Sequence, residues 1–80
     1  MWYYMMKYSF DSSKPVFGPF ETEDEAYEKM SVDAKNEYDI DTNENGWETE
    51  IHVDSEAGEI TITNYFEEYK DITEFFTFEI

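Results

Sequence analysis

The chain of 80 residues contains no cysteine, no leucine and no arginine. Without cysteine it has no disulfide, no thiolate nucleophile and no cysteine-ligated zinc site. Without leucine, its apolar side chains are mainly aromatic residues, isoleucine, valine and methionine. Because aromatic and β-branched side chains suit strands, we expect sheet to dominate a single small domain that spans residues 1–80.

Basic residues are scarce, since five lysines stand against twenty-one Asp and Glu and leave a net charge of −16. All but one of the acids lie in residues 21–80. Proteins bind DNA and RNA largely through Lys and Arg that neutralise phosphates, and anionic membranes attract basic segments. The charge therefore argues against direct binding of nucleic acid and against a membrane surface.

Long apolar runs are also missing. The apolar start, MWYYMMKYSF, is too short to span a membrane and is interrupted by Lys7. It lacks the basic region and the small-residue cleavage site of a signal peptide. We therefore expect a cytoplasmic protein.

The first part of the chain predicts a hairpin. Period-two alternation over residues 2–10 indicates a strand whose first half is apolar on both faces. Residues 11–14 are typical of a turn, and Pro15-Val16-Phe17 predicts a short return strand at an edge or an end of the sheet. Gly18-Pro19 is expected to redirect the chain.

A helix is predicted next. Thr22, followed three residues later by Glu25, matches the capping box that begins many helices. Apolar side chains then recur at three- and four-residue steps from Ala26 to Tyr38, which predicts a helix that packs by one narrow face. Residues 39–46 are predicted to form a loop.

A second hairpin is the clearest pattern in the sequence. Residues 47–53 alternate between Trp, Thr, Ile or Val and charged side chains, which predicts a strand that is apolar on one face only. Residues 54–58 predict a turn, and alternating Ile and Thr over residues 60–63 predict the returning strand.

Residues 64–71 are predicted to be a connection, and residues 74–80 a last strand, with a short helical turn at 71–75 as the alternative. The resulting order is β-β-α-β-β-β. It predicts an α+β domain in which one antiparallel sheet of four to five strands is covered on one face by one helix.

The segment KPVFGPFETEDEAYEKM, residues 14–30, leads a glycine-containing turn into a helix start, an arrangement that often binds phosphate. Here Glu23, Asp24 and Glu25 already place negative charge in the first helical turn. A phosphate would be repelled. We therefore expect an architectural turn and a self-capped helix.

Asp39, Asp41 and Asn43, with Glu50 at the twelfth position, match part of the ligand spacing of an EF-hand calcium loop. However, Glu44 stands where that loop requires glycine, and the following pattern predicts a strand instead of a helix. We therefore predict no metal and no cofactor, with these four residues as weak candidate ligands.

No catalytic group is indicated. His52 is the only histidine, and its period-two neighbours Glu50 and Asp54 predict that it lies on the polar face of its strand. None of the five serines belongs to a nucleophile motif. Eighty residues with one helix also leave little room for a substrate cleft, so we expect no enzymatic activity.

The acids instead predict a surface for a basic protein partner. The compactness rule gives the domain a diameter of roughly 30 Å, and that length of DNA duplex carries about 18 negative charges. The chain carries a net charge of −16. The acids expected to form the surface are Glu21, Glu23, Asp24, Glu25, Glu28, Glu48, Glu50, Asp54, Glu56 and Glu59.

In size, acidity and shortage of basic residues, the whole chain resembles the small anti-restriction and anti-CRISPR inhibitors of phages and mobile elements, although it shares no motif with them. The resemblance implies a nucleic-acid mimic that inhibits a DNA- or RNA-binding host protein, such as a CRISPR or restriction effector.

Two alternatives remain open at this point. Trp2, Tyr3, Tyr4 and Met5 predict an apolar patch if both faces of the first strand are not covered, as in a small structural or regulatory subunit that pairs with a partner or with itself. Such a chain is expected to be a monomer or a weak homo-oligomer. The other alternative is a calcium-responsive module that uses residues 39–50.

Overall fold

The computed structural model describes all 80 residues, which form one five-stranded antiparallel sheet, one long helix, a short π-helical turn and the segments that connect them. The strands are β1 (Trp2–Tyr8), β2 (Val16–Phe20), β3 (Glu48–Asp54), β4 (Glu59–Tyr65) and β5 (Lys70–Glu79), and the helix is α1 (Glu23–Asp39). The sheet order is β2-β1-β5-β4-β3. The predicted α+β architecture, with a single antiparallel sheet and one helix, is therefore confirmed.

The last strand of the chain lies at the centre of the sheet. β5 pairs with β1 from Trp2↔Glu79 to Tyr8↔Thr73 and with β4 on its other side. It begins at Lys70, so the predicted connection over residues 64–71 is confirmed only for residues 66–69, the β4–β5 connection, and the alternative helical turn at residues 71–75 is wrong. Because β4 and β5 pair with each other, both strands continue past their apolar residues into polar residues. The alternation pattern did not predict these polar residues as strand.

The opening hairpin is confirmed, but β2 continues through Gly18-Pro19 instead of turning there. The register shifts between Trp2↔Phe20 and Tyr4↔Phe17, so β2 contains a bulge at this point. Gly18 has a φ of 138°, and an added Cβ would lie 2.9 Å from Cδ1 of Tyr3. Glycine therefore lets β2 bend around β1 without ending.

Helix α1 begins as its capping box predicts. The Thr22 hydroxyl accepts a hydrogen bond from the Glu25 N–H at 3.2 Å, and the Glu25 carboxylate accepts one from the Glu21 N–H at 3.3 Å. Only Ala26, Met30 and Ala34 are fully buried in the helix. This confirms that α1 packs on the sheet by one narrow face.

The predicted loop at residues 39–46 is wrong for most of its length, because the chain continues from α1 into a π-helical turn at Ile40–Glu44. The Asn45 N–H donates to the Ile40 carbonyl at 3.0 Å, and the Thr42 hydroxyl donates to the Tyr38 carbonyl at 2.9 Å. These hydrogen bonds hold this largely polar segment in a helical conformation. Gly46, with a φ of 68°, then turns the chain towards β3.

The core lies between α1 and the sheet and consists of Tyr4, Met30, Ala34, Ile60, Ile62 and Phe75. Ile51 and Val53 of β3 pair with Ile62 and Ile60 and so face the same side, but they are 37% and 52% exposed. The apolar face predicted for β3 exists, yet the helix leaves it largely uncovered. Neither helical segment has the length and apolarity needed to cross a bilayer.

Candidate functional site

Most acids of this chain have no basic neighbour. The ion pair between Lys29 Nζ and Asp33 Oδ1, at 2.9 Å, is the only salt bridge in the structure. Asp41 is the only acid that is fully buried. The net charge is therefore displayed on the surface instead of being neutralised internally.

The fold brings two of the predicted acidic groups to one end of the molecule. Oε1 of Glu23, in the first turn of α1, lies 3.6 Å from the position that a Cβ would occupy on Gly58, in the β3–β4 turn. We call this region the acidic end. All its acids are exposed, and they are Glu21, Glu23, Asp24, Glu25, Glu28, Asp54, Glu56 and Glu59.

Glu48 and Glu50 belong to the predicted surface but lie towards the other end of β3, where Glu48 is about 20 Å from Asp54 along the strand. Both are exposed, and with Asp54 they project from the sheet face opposite the helix, which we call the open face. His52 is exposed on the same face, as the alternation predicts.

Two interactions give the acids on the open face distinct environments. The Tyr65 hydroxyl donates to Oε2 of Glu50 at 2.9 Å, and this hydrogen bond is the main reason why the pKa of Tyr65 is raised. Asp54 and Glu59 are directly opposite each other in the β3–β4 ladder. Like charges in such a cross-strand pair destabilise the hairpin.

On β1 and β5 the open face carries apolar side chains next to the charged pair Lys7 and Glu74. Tyr3 stacks on Phe78 with ring centroids 5.6 Å apart, and Phe76 lies beside Phe78 at 6.2 Å. Met5 of β1 is the cross-strand partner of Phe76 and lies on the side of these rings that is nearer to β2. These four half-buried side chains form an apolar patch on β1 and β5 that no other element covers.

Only part of the apolar patch predicted from β1 is on this face. Tyr4 points to the opposite side, where it is buried and stacks on Phe17 with a centroid distance of 4.6 Å. Trp2 alternates with Tyr3 and shares the helix side with Tyr4. Tyr3 and Met5 are therefore the members of the predicted patch that lie on the open face.

The candidate calcium ligands are not gathered into a site. Asp41 is 3% exposed and accepts hydrogen bonds from the side-chain amides of Asn64, at 3.0 Å, and Asn45, at 3.4 Å. Asn64 in turn accepts one from Thr49 at 2.8 Å. Glu50 projects from the face opposite Thr49, and no cluster of three or more His, Asp or Glu side chains could hold a metal ion.

A cleft lies at the opposite end from the acidic end, where α1 meets the π-helical turn. It is lined by residues that include Tyr8, Glu37, Asp41, Trp47 and Asp71. Burial, together with nearby Asp41, raises the pKa of Glu37, and burial with nearby Glu37 raises that of Tyr8. Sequence patterns do not indicate this cleft, because its residues come from separate segments.

Comparison with models of protein families, with curated proteins and with solved structures finds no match for this chain. The chemistry and shape of its surface are therefore the basis for assigning a function.

Proposed function

We propose that this chain is a non-enzymatic nucleic-acid mimic that inhibits a DNA- or RNA-binding protein by occupying its basic groove. The observation that carries the proposal is the surface charge: twenty-one acids form a single ion pair with lysine. Water-filled basic grooves concentrate anions of high charge density, whether these are nucleic acids or proteins.

The shape of the molecule sets the charge density that such a groove would meet. The domain measures 41 × 24 × 21 Å, so it is an elongated body and not the sphere of roughly 30 Å assumed from its length. A DNA duplex 41 Å long carries about 24 negative charges. With a net charge of −16, the domain has about two thirds of that linear density.

The distribution of lysine indicates which part of the molecule enters the groove first. Residues 15–28 and 36–69, which supply the acidic end, contain no lysine. Lys7, Lys14 and Lys70 lie in strand or loop positions towards the other end of the sheet. Lys29, which lies beside Glu25 and Glu28, is the one lysine close to the acidic end, and it forms its salt bridge with Asp33. The acidic end therefore presents mostly uncompensated negative charge, and we assign it the leading contact.

Affinity capture tests the proposal directly. The immobilised chain is exposed to a nuclease-treated bacterial lysate at low salt, and bound proteins are eluted with duplex DNA or single-stranded RNA and identified by mass spectrometry. We expect DNA- or RNA-binding proteins that nucleic acid displaces. The mimic would be contradicted if no such protein were captured, or if saturating nucleic acid did not release the captured proteins.

The apolar patch supports a second candidate function. Tyr3, Met5, Phe76 and Phe78 lie uncovered on the open face, as in proteins that use an exposed apolar surface to assemble. On this view, the chain is a small structural or regulatory subunit. Sedimentation over a wide concentration range, at 50 and 500 mM salt, distinguishes it, because an apolar interface persists when charges are screened.

A further inference from the structure

The two edges of the sheet are built differently. β2 is five residues long, contains Pro19 and is bent by a bulge. β3 is seven residues long, contains neither proline nor glycine, and pairs with β4 in unbroken register from Glu48 to Asp54. Bulges and proline protect an edge against further pairing, whereas a long regular edge leaves alternate N–H and C=O groups free to pair with another strand.

The two sides of the β3 edge differ in chemistry. Glu48, Glu50 and Asp54 project from the open face, while Thr49, Ile51 and Val53 project towards the helix side. Ile51 and Val53 remain exposed because the helix leaves this strand largely uncovered. A strand that extended the sheet at β3 would therefore meet three carboxylates and His52 on one face, and Thr49, Ile51 and Val53 on the other.

We propose that β3 docks an extended cationic segment of the partner protein, in which Lys or Arg alternates with β-branched or aromatic residues. The segment adds to the sheet as a sixth strand, with main-chain hydrogen bonds to β3. Its basic side chains lie beside Glu48, Glu50 and Asp54, and its apolar side chains cover Ile51 and Val53. This inference depends on the proposed function only for the basic character of the partner.

A second copy of this chain fits the same edge poorly. When two identical edges pair in antiparallel fashion about a two-fold axis, the same face of each sheet points the same way. The acids of one β3 would then lie beside the acids of the other, and like charges in neighbouring strands are destabilising. Charge thus disfavours self-pairing and favours a basic strand.

The hairpin itself contains a repulsion that a basic strand relieves. Asp54 and Glu59 face each other across the ladder without an intervening cation. Glu50 is oriented by the hydrogen bond from Tyr65 and keeps one carboxylate oxygen outside that contact. Both features leave negative charge at the β3 edge. A lysine or arginine on an added strand would lie where it can neutralise this charge.

The test uses a capped nine-residue peptide of alternating lysine and valine as the probe, with amide hydrogen exchange followed by NMR. We expect saturable binding that slows exchange of the outward-facing amides of β3 at least tenfold. Two control peptides are an alternating glutamate and valine peptide and a lysine and valine peptide that is N-methylated at every backbone amide. Neither should bind measurably, because one has the wrong charge and the other cannot form the main-chain ladder.

Matched variants test the acids. Glu48→Gln with Glu50→Gln should weaken peptide binding about fivefold, whereas Glu67→Gln with Glu68→Gln, which removes the same charge from the β4–β5 connection, should change it less than twofold. Docking at this edge would be overturned if the N-methylated peptide bound as tightly as the unmethylated one, or if the amides protected from exchange lay outside β3. Both of these outcomes can be observed with the wild-type chain, even if a variant failed to fold.

The outcomes also separate this inference from the mimic. If the peptide does not bind but captured proteins are still displaced by nucleic acid, docking at β3 is wrong and the mimic remains. If the peptide protects β3 but no nucleic-acid-binding protein is captured, the edge is a docking site for a different basic protein and the mimic is wrong.

Discussion

The hydroxyl of Tyr4 donates a hydrogen bond to the carboxylate of Asp33, which ties the middle of β1 to the middle of α1. Tyr4 is fully buried, and Asp33 also accepts a hydrogen bond from Lys29 at 2.9 Å. Burial is the main reason why the pKa of Tyr4 is raised, and the contact with Asp33 raises it further. The pair is the one hydrogen bond between a carboxylate of α1 itself and the sheet, since Asp41, which binds Asn64 of β4, lies in the π-helical turn.

Tyr4→Phe should reduce the free energy of unfolding by about 1.5–3 kcal/mol, because it removes a hydrogen bond to a charged acceptor from the helix–sheet interface. Urea denaturation measures the change. Tyr65→Phe is the matched control, since the Tyr65 hydroxyl also bonds a carboxylate but on the exposed open face, where the loss should be under about 1 kcal/mol. Similar losses in both variants would show that burial of the Tyr4 contact has no energetic effect.

The stability conferred by Asp33 should depend on pH. Burial acts to raise the pKa of Asp33, but the hydrogen bonds from Tyr4 and Lys29 outweigh it and hold the pKa below its usual value. The contribution is therefore present above the unfolded pKa of about 4 and is lost as pH falls through the lower folded value. Asp33→Asn should destabilise the chain at pH 7 and have a smaller effect at pH 2.5.

Glu37 should behave in the opposite way. Burial and nearby Asp41 raise its pKa, so ionisation of Glu37 disfavours the folded state as pH rises above about 4.3, the usual glutamate value. Glu37→Gln should therefore stabilise the chain at pH 7 and have little effect at pH 3. Urea denaturation of both variants across this range checks the two signs, and parallel profiles for Asp33→Asn and Glu37→Gln would contradict them.

Asp41→Ala should cost about 1–3 kcal/mol of unfolding free energy, because Asn64 and Asn45 lose their shared acceptor. Asp39→Ala, two residues earlier, removes an acid whose side chain makes no hydrogen bond and should cost much less. Millimolar calcium should leave the thermal midpoint of the wild-type chain unchanged. A calcium-dependent increase that Asp41→Ala abolishes would instead identify a metal site.

Glu59→Lys should raise the free energy of unfolding by about 0.2–1 kcal/mol, because it replaces a cross-strand repulsion with Asp54 by an attraction. Glu67→Lys gives the same change of net charge outside the hairpin. The difference between the two variants isolates the pair, and it should shrink as salt increases. Equal stabilisation by both variants would indicate that net charge alone is responsible.

Binding to a captured partner should depend on where the acids lie. The triple change Glu23→Gln, Glu56→Gln and Glu59→Gln removes three of the eight negative charges of the acidic end, while Glu44→Gln, Glu67→Gln and Glu68→Gln remove the same charge elsewhere. The first should weaken binding more at 0.1 M salt, and the difference should narrow at 0.5 M because the screening length falls from about 10 Å to roughly 4 Å. Equal losses would show that no one end leads the contact.

Local signals predicted the elements that are stabilised locally. The capping box at Thr22 and the alternation in β3 concern neighbouring residues, and both predictions are confirmed. The pairing of β1 with β5 joins residues up to 77 positions apart, and no local pattern specifies it. The first residues of β5 are polar, so their strand conformation is a consequence of pairing with β4.

The acidic residues were identifiable from composition, but their arrangement was not. Glu23 and the β3–β4 turn meet only because α1 crosses the sheet in a particular direction. Alternation also could not show that Ile51 and Val53 are exposed, since that depends on which strands the helix covers. Side-chain chemistry was therefore predictable, whereas proximity and accessibility required the tertiary structure.

The central position of β5 has a consequence for synthesis of this protein on the ribosome. The β1–β2 and β3–β4 hairpins touch β5 but are not neighbours of each other in the sheet. Until residues 70–79 have emerged, the two hairpins can form only separately, and the nascent chain exposes the strand edges that β5 will join. Such long-range pairing slows folding, so completion of the sheet should follow translation of β5 instead of proceeding with chain growth.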